Sequence, residues 1–411
     1  MTTTAIVDGD GHVMEEPNDI WTRERIDHDR WGEWVPRKEV IDEIYEITYL
    51  GGRVRGGGKE LHDQMAAAVG MTPREFYDLL EGLRRPGGHE PGPRLVDMDA
   101  DGIDAVVLYP SFAMFFGPCD EIPALHDVDF VADCQRAYND WLAEFCAYAP
   151  SRLFGVAAVP LQDVARACAE VERAAARGLV AVFVRPSAYV DELPLNHHVY
   201  DDFWSTCARL RMPVAFHPGV HVDTPGACRK FALVAQSENA TVTNMAMDEI
   251  HGGSALGQAV GNTVDMVVTM GRVLMGGVCE RFPQLRLVFL ESSGGWVPSV
   301  LERMDEQVQA FPLERRWLSL MPSEYFARQC YVSFEPEEWN LAAAAERLGV
   351  ERVLWASDYP HPEYHPGVVD ELRERIAPLA PADRARVLGR NAIECYGLHE
   401  SRDRGRDEGP E

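Results

Sequence analysis

Seven short apolar runs alternate along this chain with stretches of helical periodicity: Asp104 to Tyr109, Phe154 to Val159, Val180 to Val184, Val214 to Phe216, Leu285 to Leu290, Tyr331 to Phe334 and Val353 to Ala356. An opening run, Ala5 to Val7, brings the total to eight. The helical patterns cover Val128 to Tyr148, Val164 to Ala176, Val199 to Leu210, Ser254 to Arg281, Val297 to Ala310, Glu337 to Leu348 and Val368 to Ile376. A strand buried on both faces reads as continuous rather than alternating apolar residues, which a parallel sheet under helices requires. Eight such units favour an α/β fold closed as a (β/α)8 TIM barrel over an open doubly wound sheet. No G-x-G-x-x-G follows a run, which weakens a dinucleotide-binding alternative.

The rhythm is broken once, early. Residues 15–93 hold Trp21, Trp31 and Trp34, a strand-like Ile41 to Leu50, a glycine cluster around Gly56 to Gly58 and a helical pattern near Pro73 to Leu83. Pro86-Gly87-Gly88 and Pro91-Gly92-Pro93 close it with breakers. Such a segment is too long for an idle loop, and it reads as an insertion covering a site or a subunit contact. The expected organisation is one barrel domain over 1–399 with 15–93 inserted, followed by a disordered polar tail over 400–411.

Charge limits the partners. With 39 basic against 66 acidic residues the formal charge is -27, which repels phosphate backbones and anionic lipid, so neither nucleic acid nor a membrane surface is expected. No run approaches the roughly 20 apolar residues of a membrane helix, and the Met-Thr-Thr-Thr start has no export signal. The nine cysteines include no C-x-x-C pair and read as reduced thiols of a cytoplasmic protein.

Asp8-Gly9-Asp10-Gly11-His12 ends the first run, and in an extended strand its three polar side chains point to one side. A carboxylate and an imidazole so placed suit a divalent metal, although Asp-Gly repeats also form turns. A barrel carries its active site at the carboxyl ends of its strands. There the chain puts Asp10 and His12, then His217 in Phe-His-Pro-Gly, Glu291 in Phe-Leu-Glu-Ser-Ser-Gly-Gly-Trp, Glu335, and Asp358 in Ala-Ser-Asp-Tyr-Pro-His. Each alone has a plain structural explanation, as a cap or turn former. Five strand ends out of eight carrying such groups above apolar interiors point to a metal centre.

These motifs, with Phe-Pro-Gln-Leu-Arg-Leu-Val-Phe-Leu-Glu and the closing Gly389-Arg390-Asn391-Ala392, resemble the amidohydrolase superfamily. The similarity is to the branch of aminocarboxymuconate semialdehyde decarboxylase and the resorcylate-type decarboxylases, and it covers nearly the whole barrel. It implies Asp10, His12, His217 and Asp358 as ligands of one divalent ion, with Asp358 also handling a proton. It also implies a homodimer. Many members end the sixth strand with a histidine; here Glu291 stands there, and His251 or His361 could take over that histidine's part. The oxygen-rich ligand set shifts the expected ion from zinc alone to Zn2+ or Mn2+.

Such a site can hydrolyse an amide, ester or lactone by activating water, or release carbon dioxide from a carboxylic acid while Asp358 protonates the carbon left behind. The resemblance implies the second, non-oxidative decarboxylation of a small aromatic or muconate-type acid. Arg185, at the end of the fourth strand, could pair with a substrate carboxylate or serve as a structural ion pair. Trp296, Phe112, Phe115, Phe116 and Tyr359 lie near strand ends and suit an aromatic ligand or plain packing. A barrel that keeps the constellation only to bind a small molecule is the alternative of another class.

Overall fold

The computed structural model describes residues 5–55, 58–117, 122–218, 257–361 and 364–398. Eight parallel strands run in the order β1 (Val7–His12), β5 (Ala105–Tyr109), β6 (Leu153–Ala158), β7 (Ala181–Val184), β8 (Val214–Phe216), β9 (Leu287–Phe289), β10 (Cys330–Phe334) and β11 (Val353–Trp355), each hydrogen-bonded to the next. Every residue of β5, β7, β8 and β10 is buried. One face of the strands packs under the surrounding helices. The other fills the barrel with Val7, Val107, Val156, Phe183, Val288 and Leu354. This double burial is why the runs read as unbroken apolar stretches.

The ring is drawn shut between its first and last strands by the loop that follows β11. Asp358 N donates to Asp10 O at 3.1 Å, and His12 N donates to Tyr359 O at 2.7 Å. Ser357 donates to the Asp8 carboxylate from its backbone N at 3.1 Å and from Oγ at 2.5 Å. The pairing of β1 with β5 shifts register between Asp8 and Gly11. This corrects the expectation of three polar side chains acting together: Asp8 is taken up in closing the barrel. Gly11 is needed here, because a Cβ would sit 2.7 Å from Val106 Cγ2 and 2.8 Å from Arg94 Nη2.

Between β1 and β5 the chain forms a three-stranded antiparallel sheet, β2 (Arg37–Ile41), β3 (Tyr45–Leu50) and β4 (Arg53–Arg55), and the helices Gly58–Ala68, Pro73–Leu83 and Pro91–Asp101. The strand-like stretch Ile41 to Leu50 is therefore the end of one strand, a turn and a second strand. Asp42 and Glu43 make the turn with φ of 53° and 58°, and charged side chains inside the apolar alternation are the mark of it. The tryptophans seat this segment on the barrel helix Val128–Ala147: Trp21 Nε1 donates to Cys134 O at 3.0 Å and Trp31 Nε1 to Asp133 Oδ2 at 2.9 Å.

The helix expected over Ser254 to Arg281 is seen from Gly257 and breaks at Gly276 and Gly277 into Thr263–Met275 and Val278–Arg281. The one expected from Glu337 starts at Leu341. Among the described residues no helix is long and apolar enough to cross a membrane, and the seven cysteines there form no disulfide. The expected tail over 400–411 lies outside the described residues.

Candidate active site

The carboxyl ends of β1, β8, β9, β10 and β11 bring Asp10, His12, His217, Glu291, Glu335 and Asp358 to one rim. Asp10 and His12 belong to β1 itself, and His217 directly follows β8. Glu291 and Asp358 occur where the chain leaves β9 and β11 with φ of 44° and 55°, a left-handed conformation that costs free energy and that aspartate tolerates better than most residues.

The two histidines fix the chemistry. Nδ1 of His12 lies 3.1 Å from Pro110 O, and Nδ1 of His217 lies 2.8 Å from Pro218 O. A carbonyl can only accept, so both Nδ1 atoms carry the proton and both Nε2 atoms in the neutral rings are bare lone pairs. Burial holds both rings neutral: it lowers His12 well below the usual histidine range, helped by His361 and His217, and lowers His217 to about 3. Yet the two Nε2 atoms face each other at 3.1 Å. Asp358 Oδ1 is 3.3 Å from His12 Nε2, Glu291 Oε2 is 3.0 Å from His217 Nε2, and Asp10 Oδ1 is 3.7 and 3.8 Å from the two.

These are acceptors pointed at acceptors, which repel unless a cation lies among them. Asp10 Oδ1 is buried with no hydrogen-bond partner. Burial first, then the charges of Asp358, Asp8 and Glu335, push the Asp10 carboxyl well above the usual range. Two geometric clusters share His12, namely Asp10–His12–His217 and His12–Asp358–His361. Mixed imidazole and carboxylate donors suit zinc or manganese, so the residues fit a divalent ion.

Around this core the other expected residues are spread unevenly. His361 Nδ1 lies 2.8 Å from Asp358 Oδ1, and its ring lies against His12, tilted by 31°, with centroids 4.1 Å apart. Arg185 is buried directly after β7, its guanidinium packed so closely on Gly117 that a Cβ there would be 2.2 Å from Nη2. Trp296 caps the helix Val297–Ala310, and its indole donates to Ser292 O at 2.9 Å, bracing the loop behind Glu291. His251 lies outside the described residues.

Two carboxyl groups of the site were not foreseen. Glu15 is buried and accepts from the backbone N–H groups of Ser111, Phe112 and Ala113 at 3.1, 2.8 and 3.0 Å, fixing the loop after β5. Burial raises it to about 7 in spite of those bonds. Glu338 accepts from Gly294 N, Gly295 N and Glu335 N, tying the loops after β9 and β10 together. Burial and the adjoining Glu335 carboxyl raise Glu338 to about 9.

The native state thus keeps a proton on Glu338 that the unfolded chain releases above its ordinary value of 4.5, so this group's contribution to stability is complete below that value and is lost as pH climbs to about 9. Glu338→Gln, whose amide NH2 cannot accept from the N–H groups that one carboxyl oxygen now serves, is expected to melt below the wild type near pH 5 and to gain on it progressively towards pH 9. A difference that does not change with pH would show that Glu338 is ionised in the folded protein.

Comparison with known proteins agrees with the fold. A family model described as amidohydrolase matches residues 7–398. The gamma-resorcylate decarboxylase of Rhodococcus jostii is 26% identical over 355 residues, spanning 80% of this chain and 94% of that protein. An amidohydrolase from Mycobacterium avium subsp. paratuberculosis superposes with a TM-score of 0.71 at 21% identity over 97% of this chain and all of that one. A dihydroxybenzoic acid decarboxylase from Polaromonas, solved with bound manganese and the inhibitor 2-nitroresorcinol, gives 0.59 at 21% identity over 82% of this chain and 93% of that one. With its matched region taking in all eight barrel strands and the rim above them, the chain belongs to the amidohydrolase family.

Proposed function

We propose that this protein is a metal-dependent, non-oxidative decarboxylase of a small aromatic or related unsaturated carboxylic acid. The observation that carries the metal dependence is the pair of proton-free imidazole nitrogens 3.1 Å apart, ringed by carboxylates. The decarboxylase reading is supported by relatives such as the Rhodococcus enzyme, which is similar along nearly its whole length.

Asp10, His12, His217 and Asp358 would hold Zn2+ or Mn2+. Bound there, the ion would supply positive charge to a substrate's carboxylate and the hydroxyl or carbonyl oxygen beside it. Arg185, fixed on the same rim, pairs with the acid in a bidentate way and sets its orientation. Asp358 is held by its backbone N–H to Asp10 and by His361, so its carboxylate is placed to take the proton that the substrate's neighbouring hydroxyl gives up on binding and to pass it to the ring carbon. As that C–H bond forms, the C–C bond to the carboxyl group breaks and carbon dioxide leaves with the ring electrons restored. Glu291, beside His217, is a second carboxylate that can hold a proton close to the reacting atoms.

The test begins with elemental analysis of protein purified without added metal, where near-stoichiometric transition metal is expected. A panel of 2-hydroxyaryl and muconate-type acids is then assayed for carbon dioxide, with loss of activity on chelation and recovery with Mn2+ or Zn2+. Turnover of an ester, amide or lactone with no gas from any acid would transfer the protein to the hydrolases. Absence of tightly held metal would leave only a small-molecule binder.

A further inference from the structure

We infer that Ser111 is a positioning residue for this site, its hydroxyl fixing the direction of the His361 ring so that the imidazole holds Asp358. Ser111 Oγ is 2.8 Å from His361 Nε2, and His361 Nδ1 is 2.8 Å from Asp358 Oδ1. The three residues come from the loops after β5 and β11, so the contact exists only in the folded barrel.

The arrangement has the outline of a serine–histidine–aspartate triad, and the surroundings decide what it does. A nucleophilic serine needs N–H groups near it to receive the developing oxyanion. The two amides that follow Ser111, those of Phe112 and Ala113, are already bonded to the buried Glu15 carboxylate at 2.8 and 3.0 Å. What Glu15 accomplishes is rigidity, because three consecutive N–H groups on one carboxylate lock the loop that presents the Ser111 hydroxyl.

The direction of the hydrogen bonds follows from the acceptor at the far end. As a ligand of the ion Asp358 is a carboxylate that can only accept, so His361 donates from Nδ1, which sets the tautomer of the ring and leaves Nε2 as an acceptor. Ser111 Oγ–H donates to it. With both nitrogens engaged and the ring packed against His12, the imidazole cannot turn without breaking a bond. The Asp358 carboxylate is thereby kept in one orientation, which matters because about 1 Å of misplacement of a reacting group costs roughly 100-fold in rate.

The experiment uses full-length protein labelled with 15N at histidine, in which the His361 signals are identified by their disappearance in His361→Gln. Long-range 1H–15N correlation is expected to show a protonated Nδ1 and a proton-free Nε2 in the wild type. Ser111→Ala should keep Nδ1 protonated but move the Nε2 resonance downfield as its hydrogen bond is lost, and Ser111→Thr, which keeps the hydroxyl, should restore the wild-type position. On an aryl acid found to release carbon dioxide, Ser111→Ala is expected to lower kcat about tenfold with KM nearly unchanged, with recovery in Ser111→Thr.

A protonated Nε2 in the wild type, or an Nε2 resonance indifferent to Ser111→Ala, would overturn the inference. So would equal kinetic losses in Ser111→Ala and Ser111→Thr. The kinetic arm rests on the decarboxylase reading; the spectroscopic arm does not, so failure of one is distinguishable from failure of the other.

Discussion

Asp358→Asn is expected to lower turnover by about 1,000-fold or more, the upper part of the range for a positioned proton donor, while leaving the melting temperature within a few degrees of wild type. The fold should survive because asparagine tolerates the left-handed φ of 55° as aspartate does, and the backbone bond from residue 358 to Asp10 O needs no side chain. The amide oxygen can still accept from His361 Nδ1. What is removed is the negative charge facing His12 Nε2 at 3.3 Å, and with it the capacity to take up and release a proton. Loss of activity with retained fold and reduced, but measurable, metal content is the expected pattern. A variant that keeps more than about a tenth of wild-type turnover would exclude Asp358 from proton transfer.

The same residue shows how far the sequence could be read. Asp358 stands at the end of an apolar run, and the barrel rule then says which rim it occupies. Asp10, His12, His217 and Glu291 were legible in that way, because β-strand ends are set by local pattern and a barrel aligns them. The residues that support them were not. Asp8 lies in the same motif, two positions from Asp10, yet in the folded barrel, where the register of β1 shifts after it, it is bonded to Ser357 instead. Glu15 and Glu338 find their partners about 96 and 44 residues away, in loops whose path no periodicity records. Ser111 follows Tyr109-Pro110 as an ordinary loop serine would, and its meaning depends on a histidine 250 residues further on. Charged and apolar patterns report which face of an element is buried; they carry no information about which distant loop arrives to meet it.

Replacing His217 by alanine tests the centre from the opposite side. His217 supplies one of two proton-free nitrogens, and it is aimed by the bond from Nδ1 to Pro218 O and by the Tyr109 ring, whose centroid lies 5.8 Å away. Supporting groups around a metal typically contribute 10- to 100-fold in affinity, so loss of a ligand itself should cost at least about 100-fold. Purified His217→Ala is therefore expected to retain well under a tenth of the metal found in wild type. A ligand that binds only the folded state at about 100 times its Kd stabilises by about 2.7 kcal/mol, so chelation should lower the wild-type melting temperature visibly and leave that of His217→Ala unmoved. The comparison separates ligand loss from packing loss: a deleted ring lowers the melting temperature of chelated and unchelated variant alike, whereas only a lost ligand abolishes the response to the chelator. Full metal occupancy in His217→Ala would mean that the ion is gripped elsewhere on the rim, with the His12–Asp358–His361 cluster as the other candidate among the described residues.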